Sequence, residues 1–70
     1  MVPLTFAETG EKIIIKKIGG SPDVKKHLED MGFVVGTEIS VITANGGNVI
    51  INVKNTRVAI SKEMALKIMV

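Results

Sequence analysis

The sequence predicts a mainly β protein: a small closed barrel with one helix inserted in its N-terminal half and a short helical turn near its C-terminus. Ile and Val make up most of an apolar content of 46%, and short runs of such β-branched residues are typical of strands. Turn signals separate the runs, which indicates a meander of three or four strands. Because a small meander has bare edges unless it closes, we expect a barrel.

The length lies near the lower limit for independent folding. The 70 residues are expected to form one domain, residues 1–70, and a chain of this size buries only about 60% of the surface that its unfolded form exposes. No cysteine is present, which excludes disulfides and thiolate zinc sites as extra support. We therefore expect a dense apolar core, helped by a partner or by weak homo-oligomer formation.

The first strand and the start of the helix are indicated by adjacent signals. The β-branched run from Glu11 to Ile18 predicts a strand that ends at the pair Gly19-Gly20. Ser21 is suited to the N-cap of a helix, and Pro22 to its first helical position. Asp23 complements the positive end of the helix dipole.

The helix has one apolar stripe and one polar face. Val24, Leu28 and Met31 recur at helical spacing and are predicted to face the core. The polar face points to solvent and consists of Lys25, Lys26, Glu29 and Asp30.

A short corner joins this helix to the barrel. Gly32 is predicted to end the helix in the left-handed conformation, which only glycine adopts at low cost. Phe33 and Val34 should then fold back onto the helix end, and Gly36 should turn the chain into the next strand.

The C-terminal half alternates between strands and turns. Ile39 and Val41 should share the inner face of one strand, and "NGGN" at 45–48 is a strong hairpin signal. "KNT" at 54–56 predicts a second turn. Ser61 should cap a last helical turn that carries Met64, Ala65 and Ile68, after which Met69 and Val70 return to the sheet. The expected inward residues of this half are Val49, Ile51, Val53, Val58, Ile60, Met64, Ala65 and Ile68.

Few residues here could support catalysis. Ser21 and Ser61 have capping positions and Ser40 lies on an alternating strand, without a base to activate it. The single histidine, His27, could supply one ligand to a labile transition metal, but a surface position is the more common situation. The segment Gly19-Gly20-Ser21 precedes a helix but lacks the full phosphate-loop pattern, in which Lys and then Ser/Thr follow the second Gly. We predict no catalytic, cofactor-binding or metal-binding residue.

Nucleic acid is not a favoured partner. Small barrels that bind single strands usually stack bases on aromatic side chains, and this chain has only Phe6 and Phe33. Contacts with phosphates alone would use the basic residues of the C-terminal half, which are Lys54, Arg57, Lys62 and Lys67.

Two segments, "LEDMGFVVGTEISVI" and "INVKNTRVAISKEMALKIMV", resemble the FeoA family of ferrous iron transport protein A. The resemblance covers nearly the whole chain. Two features differ from the family pattern: Val35 stands where the family often has proline, and the hairpin at 43–50 is shorter. The matching positions are Leu4, Gly10, Ile18-Gly19-Gly20, Leu28, Met31-Gly32, Gly36, Ala59-Ile60, Ala65, Ile68 and Val70.

The resemblance implies a fold and a function. The fold is an SH3-like barrel, which also forms the C-terminal domain of iron-dependent repressors. The function is that of a non-enzymatic cytoplasmic accessory of bacterial ferrous iron uptake, which binds and modulates the membrane permease that carries a G-protein domain. The alternative is an iron- or transition-metal-responsive binding module that serves a repressor.

The longest apolar runs are far shorter than the roughly 20 residues of a membrane span, so we expect no direct membrane insertion.

The helix supplies the expected contact face. Lys25, Lys26 and Glu29 are predicted to bind the partner, because they are polar and exposed beside the corner. Leu28, Gly32 and Gly36 are predicted to be structural. The basic residues of the C-terminal half are the second candidate face.

Overall fold

Six strands and two helices follow a single 3-10 turn at Leu4–Phe6 in the computed structural model, which describes residues 1–70. The elements are β1 (Lys12–Ile14), β2 (Lys17–Ile18), α1 (Pro22–Asp30), β3 (Glu38–Asn45), β4 (Asn48–Val53), β5 (Thr56–Ser61), α2 (Lys62–Ala65) and β6 (Ile68–Met69). Four strands form an antiparallel sheet in the order β1-β3-β4-β5, and β2 pairs with β6 in a second sheet. The prediction of a mainly β protein with one early helix and a short late helical turn is confirmed.

Both predicted hairpin turns are present. Gly46 lies at φ 59° between β3 and β4. Lys54 and Asn55 lie at φ 50° and 65° between β4 and β5, as the central residues of a type I′ turn do. This turn twists in the same sense as the strands it joins, which explains why two residues without a glycine accept positive φ here.

The ends of the chain close the barrel. Val2 donates a hydrogen bond to the carbonyl of Val70 at 3.0 Å, and Val70 donates one back to Val2 at 2.8 Å. Next to them Pro3 forms a bridge with Met69, which itself pairs with Lys17 of β2. The two-stranded sheet is therefore covered at its β6 side by the N-terminal segment.

The core is apolar throughout, with no buried polar or charged side chain. All residues predicted to face inward are buried or half-buried against the core. Leu4, Ile15 and Ile18 complete it at 0%, 1% and 9% exposure. The buried set is Leu4, Ile15, Ile18, Leu28, Phe33, Ile39, Val41, Val49, Ile51, Val53, Ile60, Ala65 and Ile68.

The helix α1 begins and ends as predicted. The Ser21 hydroxyl accepts a hydrogen bond from the Val24 N–H at 3.4 Å. At the other end Gly32 has φ 97° and donates to the Glu29 carbonyl at 2.9 Å, while Phe33 donates to the Leu28 carbonyl at 2.9 Å. This pair of bonds is a Schellman motif, which requires the left-handed residue that glycine supplies.

The prediction of one continuous strand from Glu11 to Ile18 is wrong. Ile15 donates to the Thr37 carbonyl at 3.0 Å, whereas Lys16 donates to the Met69 carbonyl at 2.8 Å. The chain therefore leaves one sheet and enters the other at this point. The reason lies in the core: Ile15 and Ile18 are both buried, and residues three apart on a regular strand would face opposite sides.

Two smaller expectations also differ. Phe33 is fully buried, but Val34 is 44% exposed, because its carbonyl accepts from Thr37 at 3.0 Å in a turn that directs the chain away from the helix. Ile68 lies in β6 and pairs with Ile18 rather than continuing the helical turn. The helix α2 stops at Ala65, where Leu66 is its C-cap.

Candidate functional site

The largest cavity is an open groove of about 400 Å³ between α1, β2 and the loop after α1. Its walls combine exposed lysines with aliphatic side chains, and this lining defines what we call the lysine–valine groove: Lys16, Lys17, Ile18, Lys25, Glu29, Val34 and Val35.

One wall is a face of α1. Lys25 and Glu29 are four residues apart, so they lie one turn from each other on the same side of the helix. Lys25 also donates its backbone N–H to the Ser21 carbonyl at 2.9 Å, which starts the helix. Because Val24 and Leu28 pack inward on this helix, the face with Lys25 and Glu29 is directed away from the core.

The corner loop after α1 contributes two consecutive valines to the lining. Val34 is 44% exposed and Val35 58%. Hydrogen bonds fix both ends of the loop: Phe33 donates to Leu28 at 2.9 Å, and Gly36 donates to the Ile15 carbonyl at 2.8 Å. The two valines are thus presented to solvent by a fixed backbone.

Val35 has one further property that fits its place in the loop. Its N–H takes part in no backbone hydrogen bond. A proline at this position, as often found in the family that the sequence resembles, would therefore remove no hydrogen bond.

The break between β1 and β2 contributes two lysines to the lining. Lys16 and Lys17 are both exposed where the chain crosses between the sheets, while the next residue, Ile18, is buried. The crossing brings these two lysines into one groove with Lys25, which lies in a different element. Consecutive residues of a continuous strand would point to opposite faces.

The groove is locally basic. It contains three lysines and one glutamate, a formal surplus of +2. Residues 41–70 form a second basic region, with four basic residues against one acidic residue. The groove differs from that region because it combines positive charge with the two exposed valines.

The predicted partner-binding residues separate in the structure. Lys25 and Glu29 line the groove, whereas Lys26 is exposed but outside it. The three residues predicted to be structural lie at the helix end or the turn: Leu28 is fully buried, and Gly32 and Gly36 have φ of 97° and 93°.

Four groove residues were missed by sequence reasoning: Lys16, Lys17, Val34 and Val35. A signal for them is present in the sequence. The "KK" pair interrupts a β-branched run, and "VV" lies in a corner bounded by two glycines, where a solvent-exposed loop would normally be polar.

A second cavity of about 240 Å³ lies on the outer face of the four-stranded sheet. It has a single hydrophobic residue, the buried Ile39, among otherwise charged and polar side chains. This surface offers no exposed apolar contact. Its lining is Lys12, Glu38, Ile39, Ser40, Asn52, Lys54 and Asn55.

The structure also places the other residues considered for chemistry. His27 is exposed on α1, and no three His, Cys, Asp or Glu side chains lie together as a metal site would need. Ser21 and Ser61 each accept a hydrogen bond from a helix N-terminus, as predicted. None of the helices is both long and apolar enough to span a membrane.

Comparison with known proteins gives a consistent family. The family model described as "FeoA domain" matches residues 2–70. A curated relative from Methanocaldococcus jannaschii, named "Putative Fe(2+) transport protein A", is 41% identical over 70 residues, which is 100% of this chain and 85% of the relative.

Solved structures agree with this match. The crystal structure of an "Iron Uptake Regulatory Protein (FeoA)" superposes with a TM-score of 0.89 at 35% identity, covering 97% of this chain and 90% of the other. Iron(II) transport protein A of Clostridium thermocellum superposes with a TM-score of 0.90 at 26% identity, covering 97% of this chain and 43% of the other. A manganese-dependent transcriptional repressor superposes at 0.86 over 94% of this chain and 38% of the other, and at 14% identity this shows a shared fold alone. The predicted SH3-like barrel is confirmed, and the chain belongs to the FeoA family.

Proposed function

We propose that this protein is a non-enzymatic accessory of ferrous iron uptake. In this role it docks, in the cytoplasm, on the cytoplasmic portion of the iron permease that carries a G-protein domain, and it modulates transport or the GTP cycle. The observation that carries the proposal is the family match over residues 2–70, together with the 41% identical relative whose name refers to Fe(2+) transport.

The chemistry of the surface supports a docking role. No polar or charged side chain is buried, so the chain holds none of the desolvated acids or bases on which many active sites depend. Its charged side chains lie on the surface instead, and three lysines and one glutamate line the groove beside α1. Exposed charges of this kind affect the encounter and register of two proteins more than the stability of either.

A binding titration with charge-reversed α1 tests the proposal. We expect the wild-type chain to bind the purified cytoplasmic G-protein domain of the permease, measured by calorimetry at moderate salt. The double variant Lys25→Glu/Lys26→Glu should weaken this binding about tenfold, or about 1.4 kcal/mol. Its thermal melt should be nearly unchanged, because exposed charges usually contribute less than about 1 kcal/mol to stability.

A matched control uses the other basic face. Arg57→Glu/Lys62→Glu makes the same change in charge on exposed residues outside α1. If only this control loses affinity, then the contact face is the basic C-terminal half. If the wild-type chain binds no part of the permease and leaves its GTP hydrolysis rate unchanged, the proposed function is wrong.

A further inference from the structure

The lysine–valine groove has the composition of a peptide-binding site rather than of an ordinary solvated surface. Single exposed apolar residues are common on proteins. Here, however, two adjacent exposed valines and three lysines line the same open groove. At about 400 Å³ the groove lies toward the lower end of the roughly 300–1,000 Å³ range of ligand pockets. That size suits a few side chains of a segment rather than the face of a folded domain.

We propose that this groove binds an extended acidic segment of the protein partner. An apolar side chain of that segment packs against Val34 and Val35, and its carboxylates pair with Lys16, Lys17 and Lys25. The proposal rests on the proposed function only in taking the cytoplasmic portion of the iron permease as the partner.

Charge complementarity selects an acidic segment. The groove carries three lysines and one glutamate, a formal surplus of +2. An approaching acidic stretch is attracted to these lysines, and this attraction raises the association rate at low salt.

Glu29 and the valines favour a peptide over a phosphate-rich surface. The Glu29 carboxylate repels phosphates and peptide carboxylates alike, but it can accept hydrogen bonds from the backbone N–H groups of a peptide, which a phosphate does not have. The valines would gain nothing from contact with a phosphate. A peptide that alternates acidic and apolar side chains satisfies both parts of the wall.

The backbone around the groove suits an extended ligand. Lys17 and Ile18 belong to β2, whose single strand partner is β6. A strand with one partner can accept an extended segment along its other edge. The fixed corner loop and the restricted χ1 rotation of valine also lower the entropy that is lost on binding.

Two double variants separate the apolar and the charged parts of the site. Val34→Ser/Val35→Ser should weaken binding of the permease's cytoplasmic domain about fivefold or more at all salt concentrations, because it removes exposed apolar surface. Lys16→Glu/Lys17→Glu should weaken binding about tenfold near 0.1 M salt and much less near 1 M, where the Debye length falls from about 10 Å to about 3 Å. The control Arg57→Glu/Lys62→Glu, which lowers the formal net charge by the same four units, should bind nearly as the wild type does.

Carbodiimide coupling identifies the chemistry of the ligand directly, since it joins lysine amines to carboxylates that touch them. In the wild-type complex, mass spectrometry should find Lys16, Lys17 or Lys25 joined to Asp or Glu residues of one stretch of the partner. The exposed residues Lys54, Lys62 and Lys67 serve as internal controls.

The outcomes distinguish this inference from the proposed function. Absence of wild-type binding contradicts the proposed function. Normal binding that both groove variants retain, with coupling confined to Lys54, Lys62 and Lys67, overturns the groove proposal alone. Two further results also overturn the groove proposal. In the first, the wild-type chain cosediments with phosphatidylglycerol vesicles and does not bind the permease domain, and the groove variants abolish the cosedimentation. In the second, sedimentation velocity shows concentration-dependent self-association that the same variants abolish.

Discussion

At the scale of single residues, the size of a positive φ divides the positions that favour glycine from those that other residues tolerate. Gly32 and Gly36 have φ of 97° and 93°, whereas Lys54 and Asn55 have φ of 50° and 65°. The second pair lies in the left-handed region that asparagine in particular accepts. The first pair lies beyond it, so an added Cβ is strained there whatever space surrounds it.

Replacing Gly32 should cost more than replacing Gly36. Gly36→Ala changes the backbone preference alone, because nothing lies within 4 Å of the added Cβ. Gly32→Ala adds a Cβ that lies 3.2 Å from Cγ1 of Val53. We expect Gly36→Ala to lower the free energy of unfolding by about 1–2 kcal/mol, and Gly32→Ala and Gly32→Val to lower it further. Urea denaturation measures the difference, and equal midpoints for wild type and Gly32→Val would contradict the assigned conformation.

At the scale of elements, side-chain caps and a buried stripe hold the two helices in place. Ser21 and Ser61 each accept a bond from the N–H three residues later, at 3.4 Å and 3.2 Å. The bond of Ser61 is partly buried, and α2 contacts β5 and β4 as well as the N-terminal turn. The loss of this cap therefore affects the closure of the barrel, whereas Ser21 affects α1 alone.

The two caps should differ when they are removed. Ser61→Ala is expected to lower the free energy of unfolding by about 1–2 kcal/mol, and Ser21→Ala by about 0.5–1 kcal/mol, since N-cap losses fall within this range and an exposed bond lies at its lower end. Thermal melts of both variants provide the test. A larger effect for Ser21→Ala would show that α1 depends on its cap more than on its core contacts.

Truncating the helix stripe should have a still larger effect. Leu28 is fully buried between α1 and the core, and large-to-small changes of this kind cost about 2–5 kcal/mol. Because small proteins have about 5–15 kcal/mol of total stability, Leu28→Ala should shift the denaturation midpoint strongly. Lys26→Ala on the outer face of the same helix is the control, and it should melt as the wild type does.

At the scale of the whole molecule, backbone hydrogen bonds between residues far apart in the sequence join the N-terminal and C-terminal segments. Val2 and Val70 exchange two backbone hydrogen bonds, and β6 pairs with β2 from the other end of the chain. Deleting Met69 and Val70 should remove these bonds together, so that the variant is largely unfolded by circular dichroism at room temperature. A deletion variant with the melting temperature of the full chain would show that the second sheet contributes little.

The whole chain should also be chemically inactive in isolation. We expect the purified protein to hydrolyse no GTP and to retain no stoichiometric metal after dialysis against EDTA, because it has one histidine, no cysteine and no phosphate loop. Metal analysis after dialysis gives the readout. If one iron or zinc per chain remained, His27→Ala would be the first variant to prepare.

The sequence by itself determined the local structure of this protein. Local signals account for the cap at Ser21, the left-handed Gly32, the two hairpins and the alternating inward residues. These features depend on contacts within about four positions or on the period of a strand, so residues that are near one another in the sequence specify them. The glycines and apolar residues of the corner were therefore predicted correctly, with the exposure of Val34 as the exception.

Only the tertiary structure decided the groove. The strand predicted from Glu11 to Ile18 divides because the core requires both Ile15 and Ile18, and this division sets Lys16 and Lys17 beside Lys25 of α1. No local period relates these positions, since their proximity depends on the crossing from one sheet to the other. Lys25 and Glu29 were identified from the helix face because their spacing is local; the lysines and valines that complete the groove come together only when the barrel closes.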